Sequence, residues 1–141
     1  MSSHAELPLL SLLSLATQQQ RGRLVAGLVE RGFDDIALPG ARILAAIEGR
    51  SLSIQALAEM TGTTKQFTAR EVRKLAHARY VTLQSSGEDR RVSLVQLQAR
   101  GKKLLETSRK AKFNLDAAVE HALGTADARA LRRILLRLLD A

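Results

Sequence analysis

Within residues 51–105 the hydrophobic pattern changes period twice, and this double switch constrains the fold more than any other feature. Apolar residues first recur at helical spacing, with Ile54, Leu57 and Ala58 in a segment over 53–60, then Val72 and Leu75 in a second over 64–78. Ser53 is placed to cap the first segment, and Gly62 supplies the backbone freedom that a tight turn between two helices needs. From Tyr80 the pattern becomes that of short strands, Tyr80 to Gln84 and Arg91 to Leu97, in which Val92 and Leu94 alternate with Ser93. A polar tip, Ser85-Ser86-Gly87-Glu88-Asp89-Arg90-Arg91, joins them, and helical spacing resumes near Ala99.

Helix, turn, helix, hairpin, helix is the outline of a winged helix, so the expected fold is mainly α with a small β-hairpin wing. That outline presents one helix and one hairpin tip to DNA. Charge points the same way. Between Thr63 and Lys112 there are thirteen Lys and Arg against four Asp and Glu, a net +9 where the whole chain carries +8. The positive excess is therefore confined to this stretch, as an electrostatic footprint for phosphate would be.

The second helix of the pair assigns duties by face. Steps of 100° put Thr64, Thr68, Val72 and Leu75 on one side and Gln66, Arg70, Arg73 and His77 on the other. Lys65, Gln66, Ala69 and Arg70 lie in the half that reads bases, where Gln pairs with adenine and Arg with guanine. Thr63 and Thr64 are candidates to hold a phosphate with the helix amides, and Arg73 and Lys74 to touch the backbone. Phe67 is expected to pack on the preceding helix. An Arg of the tip (Arg90, Arg91) suits a minor groove, and Asp89 can hold Arg91 by a charge-assisted hydrogen bond.

The flanking segments are helical. Residues 9–30 carry Leu9, Leu12, Leu13 and Ala16 on one face, Pro39 starts a short helix over 40–48, and a long helix runs from Gly101 to about Leu123. Gly124 ends it, and Thr125 is expected to cap a last helix whose Leu131, Ile134, Leu135, Leu138 and Leu139 form one apolar stripe. Both ends therefore offer a dimer interface, built from Leu9, Leu12, Leu13, Leu131, Ile134, Leu135 and Leu138. Residues 1–32 and 113–141 are read as a helical dimerisation region and 33–112 as a DNA-binding lobe. The Asp34-Asp35 pair has no partner at useful spacing and is read as helix-start or surface charge.

Other function classes find little support. With no cysteine there is no disulfide, thiolate zinc site or thiol switch. His4, His77 and His121 lack metal-ligand spacing, so neither a metal nor a cofactor is expected. No nucleophile–base pair or phosphate loop marks an enzyme. The apolar run 7–16 is short and broken by polar residues, so no membrane span or leader is expected, and the protein is read as cytoplasmic.

The stretch Asp89-Arg90-Arg91-Val92-Ser93-Leu94-Val95-Gln96-Leu97, with Gly101 and Leu104-Leu105 after it, resembles the wing signature of the MarR family of bacterial transcription factors. Leu57-Ala58, Gly62, Thr64-Lys65-Gln66, Val72, Leu75, Tyr80-Val81, Arg31-Gly32-Phe33 and Leu38 are similar to that family's pattern upstream. The resemblance implies a dimeric winged-helix regulator on an inverted-repeat operator, with a small phenolic or anionic effector between the dimerisation helices and the DNA-binding lobe. It makes Asp89 and Arg91 the wing pair, with Arg91 in the minor groove and Arg90 sharing the role. Three places depart from the pattern. Gln98-Ala99 stands for a usual Thr-Pro, Leu83 for a basic residue, and Ala78-Arg79 for a Gly-containing turn. The expected function is a dimeric, sequence-specific DNA-binding transcriptional regulator, in the sense of a repressor, that answers to a small-molecule effector. The alternative is a winged-helix protein acting through protein contacts or non-specific DNA coating.

Overall fold

The structure, a computed structural model, describes residues 3–85 and 92–141. In chain order the elements are α1 (Leu9–Glu30), α2 (Leu38–Ala46), β1 (Leu52–Ser53), α3 (Ile54–Thr61), α4 (Lys65–His77), β2 (Val81–Ser85), β3 (Ser93–Leu97), α5 (Ala99–Leu123) and α6 (Thr125–Leu139). The fold is mainly α with a small antiparallel sheet, a winged helix-turn-helix with helical extensions. It divides into two compact units, Gly32–Thr107 and the pair Met1–Arg31 with Ser108–Ala141.

In the first unit α2, α3 and α4 pack around Ile43, Leu44, Ile47, Leu57, Val72 and Leu75, all buried. Burial of each such side chain stabilises the unit by about 1.5–3 kcal/mol before chain entropy is counted. Local chemistry sets the helix ends. The Ser53 hydroxyl accepts from Ala56 N at 3.1 Å, the Thr64 hydroxyl accepts from Phe67 N at 3.1 Å, and Gly62 closes α3 at φ 67°. Pro39 lies in the first turn of α2, which begins at Leu38, two residues before the expected start.

The sheet has three strands, not the two expected. The order is β1-β3-β2, with Leu52 opposite Val95 on one side and Leu83 opposite Val95 on the other. Two residues are too few to show a period, so β1 was invisible to pattern. The buried residue of β3 is Val95, while Val92 is exposed and Leu94 half-buried. The inward face is thus that of Val95 and Leu97.

The turn between α4 and β2 keeps a left-handed residue although it has no glycine. Arg79 sits at φ 67°, beyond the C-cap Ala78. Nearby, Gly101 in the first turn of α5 is buried with its Cα against the Tyr80 carbonyl. A Cβ there would clash with that oxygen and fall 2.8 Å from Leu97 Cδ2.

In the second unit the apolar stripe of α6 is present but uncovered. No α6 residue is buried, and Ile134 is 52 % exposed. Leu9 and Leu12 of α1 are also exposed, and Leu13 is half-buried. The expected cap at Thr125 is corrected. Gly124, at φ 84°, is the N-cap residue and contributes no side chain, while the Thr125 hydroxyl donates to Glu120 Oε1 at 2.9 Å. The glutamate one turn before the break competes for that hydroxyl.

Two substitutions in one turn should act oppositely. Gly101→Ala should lower unfolding stability by about 1–3 kcal/mol through overpacking against backbone. Arg79→Gly should raise it by up to about 1 kcal/mol, since the left-handed region costs an L-residue roughly 1–2 kcal/mol and glycine returns part of that as chain entropy. Urea titrations of the two variants and the parent check both signs.

Candidate nucleic-acid interface

The candidate interface is built on α4. Thr68, Val72 and Leu75 turn inward and are 1 %, 0 % and 4 % exposed. With that stripe fixed, the helical period leaves Lys65, Gln66, Arg70 and Arg73 exposed on the opposite side, and Ala69 half-buried at its edge. The first turn of α4 carries no acidic residue, and Lys74 and His77 occupy the last. The positive helix N-terminus and its amides therefore lie beside Lys65 without an opposing carboxylate. Asp89, Arg90 and Arg91 lie outside the described residues.

Helix and wing share one surface. A cleft of about 190 Å³ is lined by Ser53, Ile54 and Gln55 at the start of α3, Lys65 at the start of α4, and Val92 and Ser93 on the wing strand. The strand leaving the wing tip thus stands next to the N-terminal half of α4.

The hydroxyls at the head of α4 are not equivalent. Thr61 Oγ1 donates its single proton to Leu57 O at 2.7 Å, so Thr63 must donate across the 3.0 Å contact to Thr61. Thr68 must then donate to Thr63 at 2.8 Å. The proton of Thr63 is directed inward, whereas Thr64 accepts from Phe67 N and keeps its own proton for a partner.

Two residues with consequences for the site were missed by pattern. Glu71, on the inner side of α4, is 9 % exposed, and its Oε1 pairs with Lys74 Nζ at 3.2 Å. Such an i,i+3 pair stabilises a helix by about 0.2–0.5 kcal/mol and holds Lys74 against its own helix in the absence of DNA. The spacing from Thr68 and to Leu75 could have revealed it.

The second is Asp35, whose partners are remote in sequence. The buried Tyr80 hydroxyl donates to its Oδ1, and Arg100 donates to both oxygens, Nη1 to Oδ2 at 3.1 Å and Nη2 to Oδ1 at 3.2 Å. Arg100 Nη1 also donates to Ala78 O at 2.5 Å, and its guanidinium lies 4.3 Å from the centre of the Tyr80 ring. Asp35 is therefore no mere surface charge, as the sequence reading had it. It ties the loop before α2 to the turn after α4 and to the start of α5. Burial works to raise its carboxyl pKa, but the hydrogen bonds from Tyr80 and Arg100 and the Arg100 charge outweigh it, leaving it below the usual value. Burial, and then the bond to Asp35, push the Tyr80 phenol well above its ordinary range.

The geometry defines a class, a winged helix-turn-helix protein with a basic outward face on its second motif helix. Residues 34–92 match the model of the MarR family, whose regulators are DNA-binding transcription regulators. A comparison with curated protein sequences finds no match. Among solved structures the chain is similar to the YusO protein from Bacillus subtilis, with a TM-score of 0.78, 19 % identity, and coverage of 94 % of this chain and 92 % of that one. It is also similar to the reduced form of MarR from E. coli (TM-score 0.77, 21 % identity, 94 % and 97 % covered). A mutant of MepR from S. aureus bound to an oligodeoxyribonucleotide gives a TM-score of 0.73 at 15 % identity, covering 96 % and 98 %. At these identities the likeness shows the fold. Among the described residues no helix is long and apolar enough to cross a membrane, and no group of three or more His, Asp or Glu could hold a metal ion.

The depressed Asp35 carboxyl fixes the sign of a pH effect. Its contribution is present above the unfolded carboxylate value, near 3.9, and is lost as pH falls through the lower folded value. Asp35→Asn should lower the urea midpoint at pH 7 and flatten its fall as pH drops below about 4. Parallel melts across that range check it.

Proposed function

We infer that the protein is a dimeric, sequence-specific DNA-binding transcriptional regulator of the repressor type that answers to a small molecule. The observation carrying the reading is the split surface of α4, where Thr68, Val72 and Leu75 are buried and Lys65, Gln66, Arg70 and Arg73 stand free of the core beside the wing strand. In this reading Gln66 and Arg70 read base edges, with Lys65 and Ala69 beside them. Thr64, Arg73 and Lys74 position the helix on phosphate, while Thr63, whose hydroxyl proton goes to Thr61 and whose N–H goes to Ala58 O, lies beside that contact without donating to it. Asp89, Arg90 and Arg91 of the wing tip extend the contact into the adjoining minor groove. Release of Lys74 from Glu71 accompanies its move to phosphate. The MepR mutant of this fold, bound to an oligodeoxyribonucleotide, supports DNA as the partner.

Dimerisation supplies the second half-site. Leu131, Ile134 and Leu138 of α6 and Leu9 and Leu12 of α1 are exposed large apolar side chains, with Leu135 and Leu13 half-buried beside them. A second copy is the proposed cover, and two-fold symmetry then calls for an inverted-repeat operator with half-sites about 34–36 Å apart.

Three variants separate the roles. Gln66→Ala and Arg70→Ala should each cost about 1–3 kcal/mol on the preferred sequence and little on others. Arg73→Ala should weaken all sequences alike and reduce the log–log salt slope by about one unit. Fluorescence anisotropy against salt measures both, and equal losses on every sequence for Gln66→Ala and Arg70→Ala would remove the base-reading role. Ile134→Asp, on the uncovered stripe of α6, should shift sedimentation equilibrium from dimer to monomer.

A further inference from the structure

The unit Gly32–Thr107 contains a cavity that the proposed function does not use. It is distinct from the position between dimerisation helices and DNA-binding lobe implied by the family resemblance. A chamber of about 170 Å³ lies between α2, the C-terminal end of α3 and the head of α4, lined by Leu38, Pro39, Ile43 and Phe67 with Arg42, Thr61, Thr63 and Thr68. A shallower groove of about 510 Å³, lined by Arg42, Ala45, Ala46, Met60 and Thr61, shares Arg42 and Thr61 with it. The inner chamber is thus apolar and the boundary between the two is cationic.

The lining limits the ligand class. No acidic residue lines either compartment, and Arg42 is exposed with no carboxylate partner among the described residues. A second cation flanks the open part. Arg50 donates Nε to Ala46 O at 2.9 Å and Nη2 to Met60 Sδ at 3.7 Å, and both acceptor residues line the groove. The protons of Thr61, Thr63 and Thr68 all run inward to Leu57 O, so these hydroxyls offer no donor to an anion, and the guanidinium must hold it. The chamber is well below the roughly 300–1,000 Å³ of sites for drug-sized ligands. Its apolar wall is made by Leu38, Pro39 and Ile43 with the Phe67 ring.

We propose that this chamber binds a short-chain aliphatic carboxylate, with the acyl chain against Leu38, Ile43 and Phe67 and the carboxylate on Arg42. The consequence for regulation rests on the DNA-binding reading. Phe67 and Thr63 form both the chamber wall and the head of α4, so an occupant touches the helix that reads DNA. It alters DNA affinity to the extent that it binds the free and DNA-bound arrangements differently.

Isovalerate is the probe, titrated into the full-length protein without DNA and followed by two-dimensional NMR, with isovaleramide as the neutral match. The expected result is saturable shifts confined to α2, Thr61–Thr68 and their neighbours. The amide, and the Arg42→Gln variant with unchanged circular dichroism, should each bind at least tenfold more weakly. Absence of saturable shifts with isovalerate, equal binding of the amide, or unaltered binding by Arg42→Gln would each overturn the site. Since this assay contains no DNA, failure to select an operator leaves its result intact. Anisotropy on DNA with and without isovalerate then tests the coupling, and an unchanged DNA affinity at saturating isovalerate would refute the regulatory link.

Discussion

The winged-helix unit depends on one buried aromatic residue, Tyr80. It is fully buried, and every polar group it carries is engaged. Its N–H donates to Leu75 O and its carbonyl accepts from Gln98 N, each at 2.9 Å, while its hydroxyl donates to Asp35. Its ring lies 6.4 Å from that of Phe33 and under the Arg100 guanidinium. A phenol buried without an acceptor would cost about 1–3 kcal/mol, so Asp35 is a condition of the burial as well as an addition to it. Through this residue the end of α4, the start of β2, the loop before α2 and the start of α5 are set in one geometry. The direction in which the hairpin leaves α4 follows.

That constraint bears on one departure from the pattern the sequence resembles and on one position that keeps to it. A glycine normally eases the turn before the aromatic, yet Arg79 takes the left-handed conformation here. The bonds from Tyr80 N to Leu75 O and from Arg100 to Ala78 O hold both sides of the turn and leave Arg79 no other course. The Gly101 position admits no such substitution, because the obstacle is the Tyr80 carbonyl itself and backbone cannot move aside.

The helix-turn-helix and its faces were legible in the sequence because they rest on short-range periodicity. The spacing of Thr68, Val72 and Leu75 alone predicts which side of α4 is buried, and Ser53 and Gly62 mark the ends of α3. What was hidden depends on contacts across the chain. Asp35 meets Tyr80 and Arg100 across 45 and 65 residues. β1 is too short to show alternation, and the Thr61–Thr63–Thr68 relay exists only once α3 and α4 are packed. The capping role given to Thr125 followed a residue preference that Glu120 overrides locally. The wing residues Asp89 to Arg91 rest on the resemblance and on the strand that follows them. For the interface, the outward set on α4 was readable from period alone, whereas the pairing of Lys74 with buried Glu71 required the fold.

The central claim is that the outward face of α4 and the wing together read sequence, twice over, in a symmetric dimer. Selection of bound DNA from a random duplex library with the full-length protein tests this most directly. The account predicts enrichment of an inverted repeat whose half-site centres lie about one helical turn apart, with the strongest preference at positions beneath Gln66 and Arg70. A bound pool with no common motif, at salt low enough for retention, would contradict it.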